Sequence, residues 1–158
     1  MATHSFQTIQ QIPISLEQAW DFFSNPANLQ RITPAEMGFA IVSTYHGSTM
    51  YPGQLIEYTV KPLLGIPFYW MTEITHVQDM QYFIDEQRIG PYCLWHHQHH
   101  FKAIEGGVEM TDIVHYRIPL GPLGALANTL FVRGKLKKIF DFRYGAVESL
   151  FGKWHAKG

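Results

Sequence analysis

Apolar and polar residues keep two different rhythms along this chain. Between Phe39 and Pro119 they form β-rich segments separated by turn residues, at Phe39 to Tyr45, Gln54 to Lys61, Phe68 to Val77, Tyr82 to Arg88, Tyr92 to Ile104 and Val108 to Ile118. With a weakly alternating opening segment from His4, ended at Ile14 by the neighbouring Pro13, they make seven predicted strands. Tyr51-Pro52-Gly53, Gly65-Ile66-Pro67 and Gly106-Gly107 are short turns of the kind that joins antiparallel neighbours. The middle of the chain therefore reads as a meander.

Helical spacing occurs in two places. Ser15 is a good N-cap with Gln18 three residues on, and Leu16, Ala19, Trp20 and Phe23 fall on one stripe. Asn25-Pro26 ends this short helix and starts another through Ile32, closed by Thr33-Pro34. After Gly121-Pro122 no further proline occurs, and Leu136, Ile139, Phe140, Tyr144, Val147, Leu150, Phe151 and Trp154 recur at helical spacing. That predicts a helix of about 30 residues, about 45 Å long. Gly134 and Gly145 weaken it and would permit a bend or a close backbone contact. The stripe needs a partner, and the concave face of a curved sheet is the surface large enough. The fold class is thus α+β: an antiparallel sheet of seven strands gripping a long C-terminal helix, with two short helices after the first strand.

Composition narrows the function. A length of 158 residues is that of a single domain over 1–158, and 46% hydrophobic with 15% aromatic residues gives enough apolar surface to line a cavity as well as a core. A net charge of -1 offers no footprint for a phosphate backbone, so nucleic acid is not an expected partner. No stretch reaches the roughly 18 apolar residues of a membrane span, and the N-terminus has no basic and apolar leader pattern. Cys93 is the single cysteine, so the expected compartment is the cytoplasm.

The most distinctive stretch is Trp95-His96-His97-Gln98-His99-His100-Phe101. Strand alternation puts Cys93, Trp95, His97, His99 and Phe101 on the more apolar, inward face, and Leu94, His96, Gln98 and His100 on the other. On the next strand Met110, Asp112, Val114, Tyr116 and Ile118 share the inward face, so Asp112 is expected inside. Arg143 lies on the apolar stripe of the long helix, where a charge is costly unless paired. It is expected to find Asp112, with Asp85 or Glu86 as the next candidates, and a ligand carboxylate would compete for the same fork. Cys93, with no activating partner in view, reads as a buried, inert thiol.

Three roles remain open for His97, His99, Asp112 and Arg143. They form a bracing hydrogen-bonded network, or a site that orients a mostly apolar ligand, or a catalytic or metal site, for which a His-x-His pair is a weak signature. No metal or cofactor is assigned on this pattern. Gly-rich phosphate loops, a Gly-x-Ser-x-Gly elbow and a His-Glu-x-x-His helix are all missing from the sequence. The hairpin Pro62 to Pro67 is either a mouth for the cavity or part of the core, and Met50, Met71, Met80 and Met110 either line the cavity or pack.

The element order, with Ser15-Leu16-Glu17-Gln18-Ala19-Trp20-Asp21-Phe22-Phe23, resembles the START/Bet v 1-like superfamily of helix-grip (SRPBCC) proteins over essentially the whole chain. Gly90-Pro91-Tyr92, Trp95-x-His97-x-His99-x-Phe101, Met110-Thr111-Asp112, Tyr116-x-x-Pro119 and Ile139-Phe140-x-x-Arg143 resemble a bacterial branch described as polyketide cyclase/dehydrase-like or ligand-binding. The resemblance implies a cavity between sheet and C-terminal helix for a lipid, polyketide, quinone or similar molecule. The expected ligand-binding residues are Trp95, His97, His99, Phe101, Asp112, Tyr116, Phe140 and Arg143. If the chain is an enzyme, it is of the cyclase or dehydratase type, with His97, His99 and Asp112 as catalytic candidates. A third reading is a protein-interaction module with a filled core.

Overall fold

The structure is a computed structural model that describes residues 3–43, 49–63, 65–119 and 121–156, with the side chains at 62, 63, 125, 128 and 129 outside that description. Strand β1 (His4–Ile12) leads into helix α1 (Leu16–Phe23), where the expected capping box forms. Ser15 Oγ accepts the Gln18 N–H at 3.1 Å, and Gln18 Oε1 accepts the Ser15 N–H at 3.0 Å. Two orphan donors of the first turn are satisfied in this way. The buried face of α1 carries Ala19, Trp20, Phe22 and Phe23, and Trp20 packs edge-on to Phe83 and Phe101. The second short helix is a 3-10 helix, Pro26–Ile32, capped by Asn25, and a further 3-10 turn at Ala35–Met37 was not expected.

The remaining strands are β2 (Ala40–Ile41), β3 (Leu55–Leu63), β4 (Ile66–Gln78), β5 (Tyr82–Ile89), β6 (Leu94–Ile104) and β7 (Gly107–Arg117). They form one sheet in the order β1-β7-β6-β5-β4-β3-β2, with every described pair antiparallel. From β3 to β7 the chain is the expected meander, and β1 closes beside β7. Strand β2 is only two residues long, and positions 44 and 45 of the expected strand lie outside the described residues. Register shifts at Met71/Thr72 and Ile74/His76 let β4 bend and twist, which curls the sheet. At Gly107 a Cβ would meet the Ile12 carbonyl oxygen at 2.1 Å, so the turn into β7 accepts only glycine beside the end of β1.

The C-terminal helical run spans the expected length but is not uniform. It comprises α2 (Gly121–Ala127), a π-helical turn at Asn128–Val132, and α3 (Arg133–Phe151). The π turn inserts backbone into the i to i−4 ladder and re-phases the helix between its two α segments. Leu136, Phe140 and Val147 are buried, whereas Tyr144 and Leu150 of the predicted stripe stand 43% and 37% exposed. Only a narrow row of the helix meets the sheet, and these two fall at its edges. The helix stops at Gly152, φ 92°, so Trp154 lies beyond it. No atom comes within 4 Å of a Cβ built at Gly134 or Gly145, so neither glycine serves a close contact.

Apolar packing divides into two clusters. One joins Ile12, Trp20, Ile56, Phe83, Phe101 and Val108 under α1, and the other joins Val114, Tyr116, Leu136 and Phe140 under α3. Residues from both face a cavity of about 380 Å³. Among the described residues, no helix is long and apolar enough to cross a membrane.

Candidate functional site

Strand pleat sets the floor of the cavity. Pairing places Asp85 of β5 opposite His97 of β6, and His99 of β6 opposite Asp112 of β7, so all four side chains rise from the same face of three adjacent strands. The expected inward alternation holds here: His97, His99 and Asp112 are buried, and His96 and His100 lie on the opposite face. His96 instead pairs with Glu86 at 2.8 Å, and His100 with Gln98 at 2.9 Å.

The hydrogen bonds run diagonally. His97 Nε2 lies 2.9 Å from Asp112 Oδ1, and His99 Nε2 lies 2.8 Å from Asp85 Oδ2. A carboxylate oxygen accepts only, so these ring nitrogens donate. The direct cross-strand contacts are looser: His97 Nδ1 is 3.6 Å from Asp85 Oδ2, and His99 Nδ1 is 2.9 Å from Asp112 Oδ1 but outside hydrogen-bonding geometry. The two imidazole rings lie 3.8 Å apart, and Phe83 stacks on His99 at 4.2 Å. From α3, Arg143 Nη1 reaches within 3.6 Å of Asp112 Oδ1. The expected pairing of Arg143 with Asp112 is therefore present, as an ion pair longer than a hydrogen bond.

Charges in this cluster are interdependent. Burial pushes the Asp112 carboxyl up, but the Arg143 charge, the hydrogen bond from His97 and the close approach of His99 hold it well below the usual carboxylate range. Asp85 is likewise held low against burial, by the hydrogen bond from His99 and the charges of His97, His99 and Arg143. Burial, with repulsion from His99, pushes His97 below the ordinary imidazole value. For His99 burial works the same way, yet the hydrogen bond to Asp85 and the nearby charges of Asp112 and Asp85 outweigh it and its value rises. Of the two imidazoles, His99 is thus the one that holds a proton more readily, between two carboxylates and across from one guanidinium.

Above the floor the cavity is walled by apolar and aromatic side chains, among them Ile56, Trp70, Tyr92, Trp95, Leu136 and Phe140. A second polar point sits on β3 and β4. Trp70 Nε1 donates to Thr72 Oγ1 at 3.0 Å, and Thr72 Oγ1 shares a hydrogen bond with Tyr58 Oη at 3.0 Å. Burial and the Asp85 charge raise the Tyr58 phenol, so it stays protonated.

Of the residues expected at the site, Trp95, His97, His99, Phe140 and Arg143 line the cavity, and Asp112 stands behind the histidines. Phe101 and Tyr116 do not reach it. Both point inward as expected, but Phe101 is taken up against Trp20, Phe23 and Phe83, and Tyr116 is 1% exposed in the second cluster. Cys93 is exposed rather than buried, because β6 begins at Leu94 and the pleat does not extend back to it. Asp85 was ranked only as an alternative partner for Arg143, yet it contacts both histidines; its place beside Phe83 in the β5 alternation was the available signal. Met50 lines the cavity, and Met110 packs in the core. The hairpin expected as a mouth lies mostly outside the described residues, although Ile66 is 51% exposed.

No family model matches the chain, and no curated protein matches it. Solved structures do. The crystal structure of the allergen Ara h 8.0201 matches with a TM-score of 0.58 at 19% identity, covering 94% of this chain and 99% of that one. The major latex-like protein 151 of Panax ginseng matches at 0.68 with 12% identity, covering 94% and 97%. An uncharacterized protein of Rhizobium leguminosarum matches at 0.68 with 11% identity, covering 94% and 96%. At these identities the likeness speaks to architecture alone, and together with the curved sheet and the C-terminal helix it establishes that this chain has the Bet v 1-like, helix-grip fold.

Proposed function

We propose that the chain binds a small, largely apolar molecule in the cavity between sheet and α3, with the polar end of that molecule on Asp85, His97, His99 and Arg143. One observation carries the reading: an apolar, aromatic-walled space of about 380 Å³ that ends on a buried, charge-balanced polar cluster. Ligand sites commonly occupy roughly 300–1,000 Å³ and use a few convergent polar groups for orientation. Tyr58 and Thr72 add a second anchor, since they hold two hydroxyl protons and share one contact. The open interior favours this reading over the third expectation, a protein-interaction module with a core filled by its own aromatics. A lipid-, polyketide- or quinone-like ligand suits the walls, and the single cysteine suits a cytoplasmic setting.

The test is a fluorescence titration with 1-anilinonaphthalene-8-sulfonate, alongside native mass spectrometry of protein purified from its own host. Saturable one-to-one binding is expected, lost in Ile139→Trp, which fills the cavity from α3. Equal binding by wild type and a folded Ile139→Trp would place the dye elsewhere and refute the reading.

A second reading is a cyclase- or dehydratase-type enzyme. It is favoured by two imidazoles 3.8 Å apart whose values are shifted in opposite directions, His97 down toward a base and His99 up toward an acid. Arg143 would then stabilise developing negative charge. His97→Ala, His99→Ala and Asp112→Asn would abolish turnover of a polyketide-like substrate, whereas variants that lose only thermal stability would assign the cluster to bracing.

A further inference from the structure

We propose that Asp85, His97 and His99 form a three-ligand site for one divalent transition-metal ion of the zinc class, held on the cavity side of the cluster. Two imidazoles and a carboxylate suit such ions, and a site with three protein ligands keeps a position open for a further ligand. The ligand atoms of the three residues all lie within 4.8 Å of one another. Asp85 Oδ2 is 2.8 Å from His99 Nε2 and 3.6 Å from His97 Nδ1. Metal bonds of about 2.0–2.2 Å at tetrahedral angles place neighbouring ligand atoms roughly 3.3–3.6 Å apart, so small side-chain rotations admit an ion.

The surroundings fit as well as the ligands. Histidines that bind a metal through one nitrogen normally give the other to a carboxylate, which fixes the ring. Here His97 Nε2 contacts Asp112 Oδ1 at 2.9 Å, while its Nδ1 remains turned toward Asp85. His99 is 3% exposed, and its Nδ1, 2.9 Å from the same Asp112 oxygen, has no hydrogen-bond partner. A small rotation of the ring toward an ion would bring that N–H into line. Asp112 thus backs both rings, and Arg143 approaches it from the helix side at 3.6 Å. Asp85, His97 and His99 face the cavity and Asp112 does not, which fixes the side on which the ion sits.

Each imidazole lies within 4 Å of both carboxylates, at the edge of an open cavity rather than in a solid core. Two carboxylates, one guanidinium and a divalent ion sum to one net positive charge, which a bound hydroxide or an anionic ligand oxygen at the open position cancels. The ligand-oxygen half of that statement rests on the binding function proposed above; the metal site does not.

Protein without a histidine tag, stripped by a chelator, is titrated calorimetrically with zinc chloride, and with cobalt(II) followed by visible absorption. One ion per chain and the cobalt bands of a four- or five-coordinate site are expected. Asp85→Asn removes stoichiometric binding, and Asp112→Asn weakens it about 10–100-fold. His96→Gln with His100→Gln, on the outer face of β6, leaves affinity unchanged. Absence of stoichiometric zinc binding by wild type overturns the proposal, as does binding that survives Asp85→Asn or vanishes with the outer pair. The cobalt spectrum of wild type decides the matter where a variant does not fold. Anilinonaphthalene sulfonate binding to metal-free protein tests the cavity separately, so a failed metal site and a failed ligand site give different results.

Discussion

Arg143→Met removes the guanidinium that α3 directs at two buried carboxylates. Deleting one partner of a buried ion pair costs about 3–5 kcal/mol, because the other charge is left uncompensated. Arg143 and Asp112 are 3.6 Å apart, and Asp112 keeps its contacts with both histidines. The loss therefore falls at the lower bound, about 3 kcal/mol at pH 8. An unfolding entropy of about 2.1 cal/mol/K per residue gives this chain about 0.33 kcal/mol/K, so Tm drops by about 9 °C. The penalty also depends on pH. Without the guanidinium, the carboxylates of Asp85 and Asp112 face only the two imidazoles, and a proton taken up by these rings offsets part of the missing charge. A raised folded-state value contributes stability below the unfolded imidazole value of about 6.5 and loses it as pH rises through the folded value. Destabilisation is thus smaller at pH 5.5 than at pH 8. Urea unfolding of the metal-free protein at both pH values, followed by tryptophan fluorescence, measures it. Adding Asp112→Asn to Arg143→Met is expected to cost less than the sum of the single changes by more than about 1 kcal/mol. A single variant within about 0.5 kcal/mol of wild type at both pH values, or strictly additive effects, would refute the coupled cluster.

Three further outcomes follow from the same packing. Phe140→Ala removes a ring set 5.0 Å from Phe6 and 5.8 Å from His97; chemical denaturation should show a loss of about 3 kcal/mol, the low end for Phe→Ala, because one side of the ring already borders the cavity. Ser15→Ala breaks the capping box of α1 and should lower stability by about 1 kcal/mol, read by calorimetry as a fall in Tm of about 3 °C. Asp85 and Asp112 have depressed folded-state values, so their contribution is present above the unfolded carboxylate value of about 3.9 and is lost as pH falls through the folded values; in urea titrations of metal-free protein below pH 5, Asp112→Asn should flatten the acid limb of the stability curve, and an unchanged slope would remove Asp112 from the account.

What was legible in the sequence was periodicity. The two-residue pleat sets which face His97, His99 and Asp112 occupy, and the helical stripe sends Arg143 inward, so the members of the cluster could be named before any coordinates. Periodicity gives a face and not a distance. Asp112 leads and Asp85 follows as a partner for Arg143 in the sequence, but strand pairing puts them on opposite sides of β6, where Asp112 meets the helix and Asp85 meets the cavity. The same limit explains Phe101 and Tyr116, which share the inward face with the histidines but sit where α1 and the second cluster close over them. The π turn at Asn128–Val132 left no periodic signature, since a five-residue change of phase is invisible against a stripe that resumes at Leu136. Its consequence is concrete: Phe131 and Val132 come to line the cavity beside Ile139 and Arg143, so the wall opposite the histidines depends on a helix irregularity as much as on the identity of its side chains.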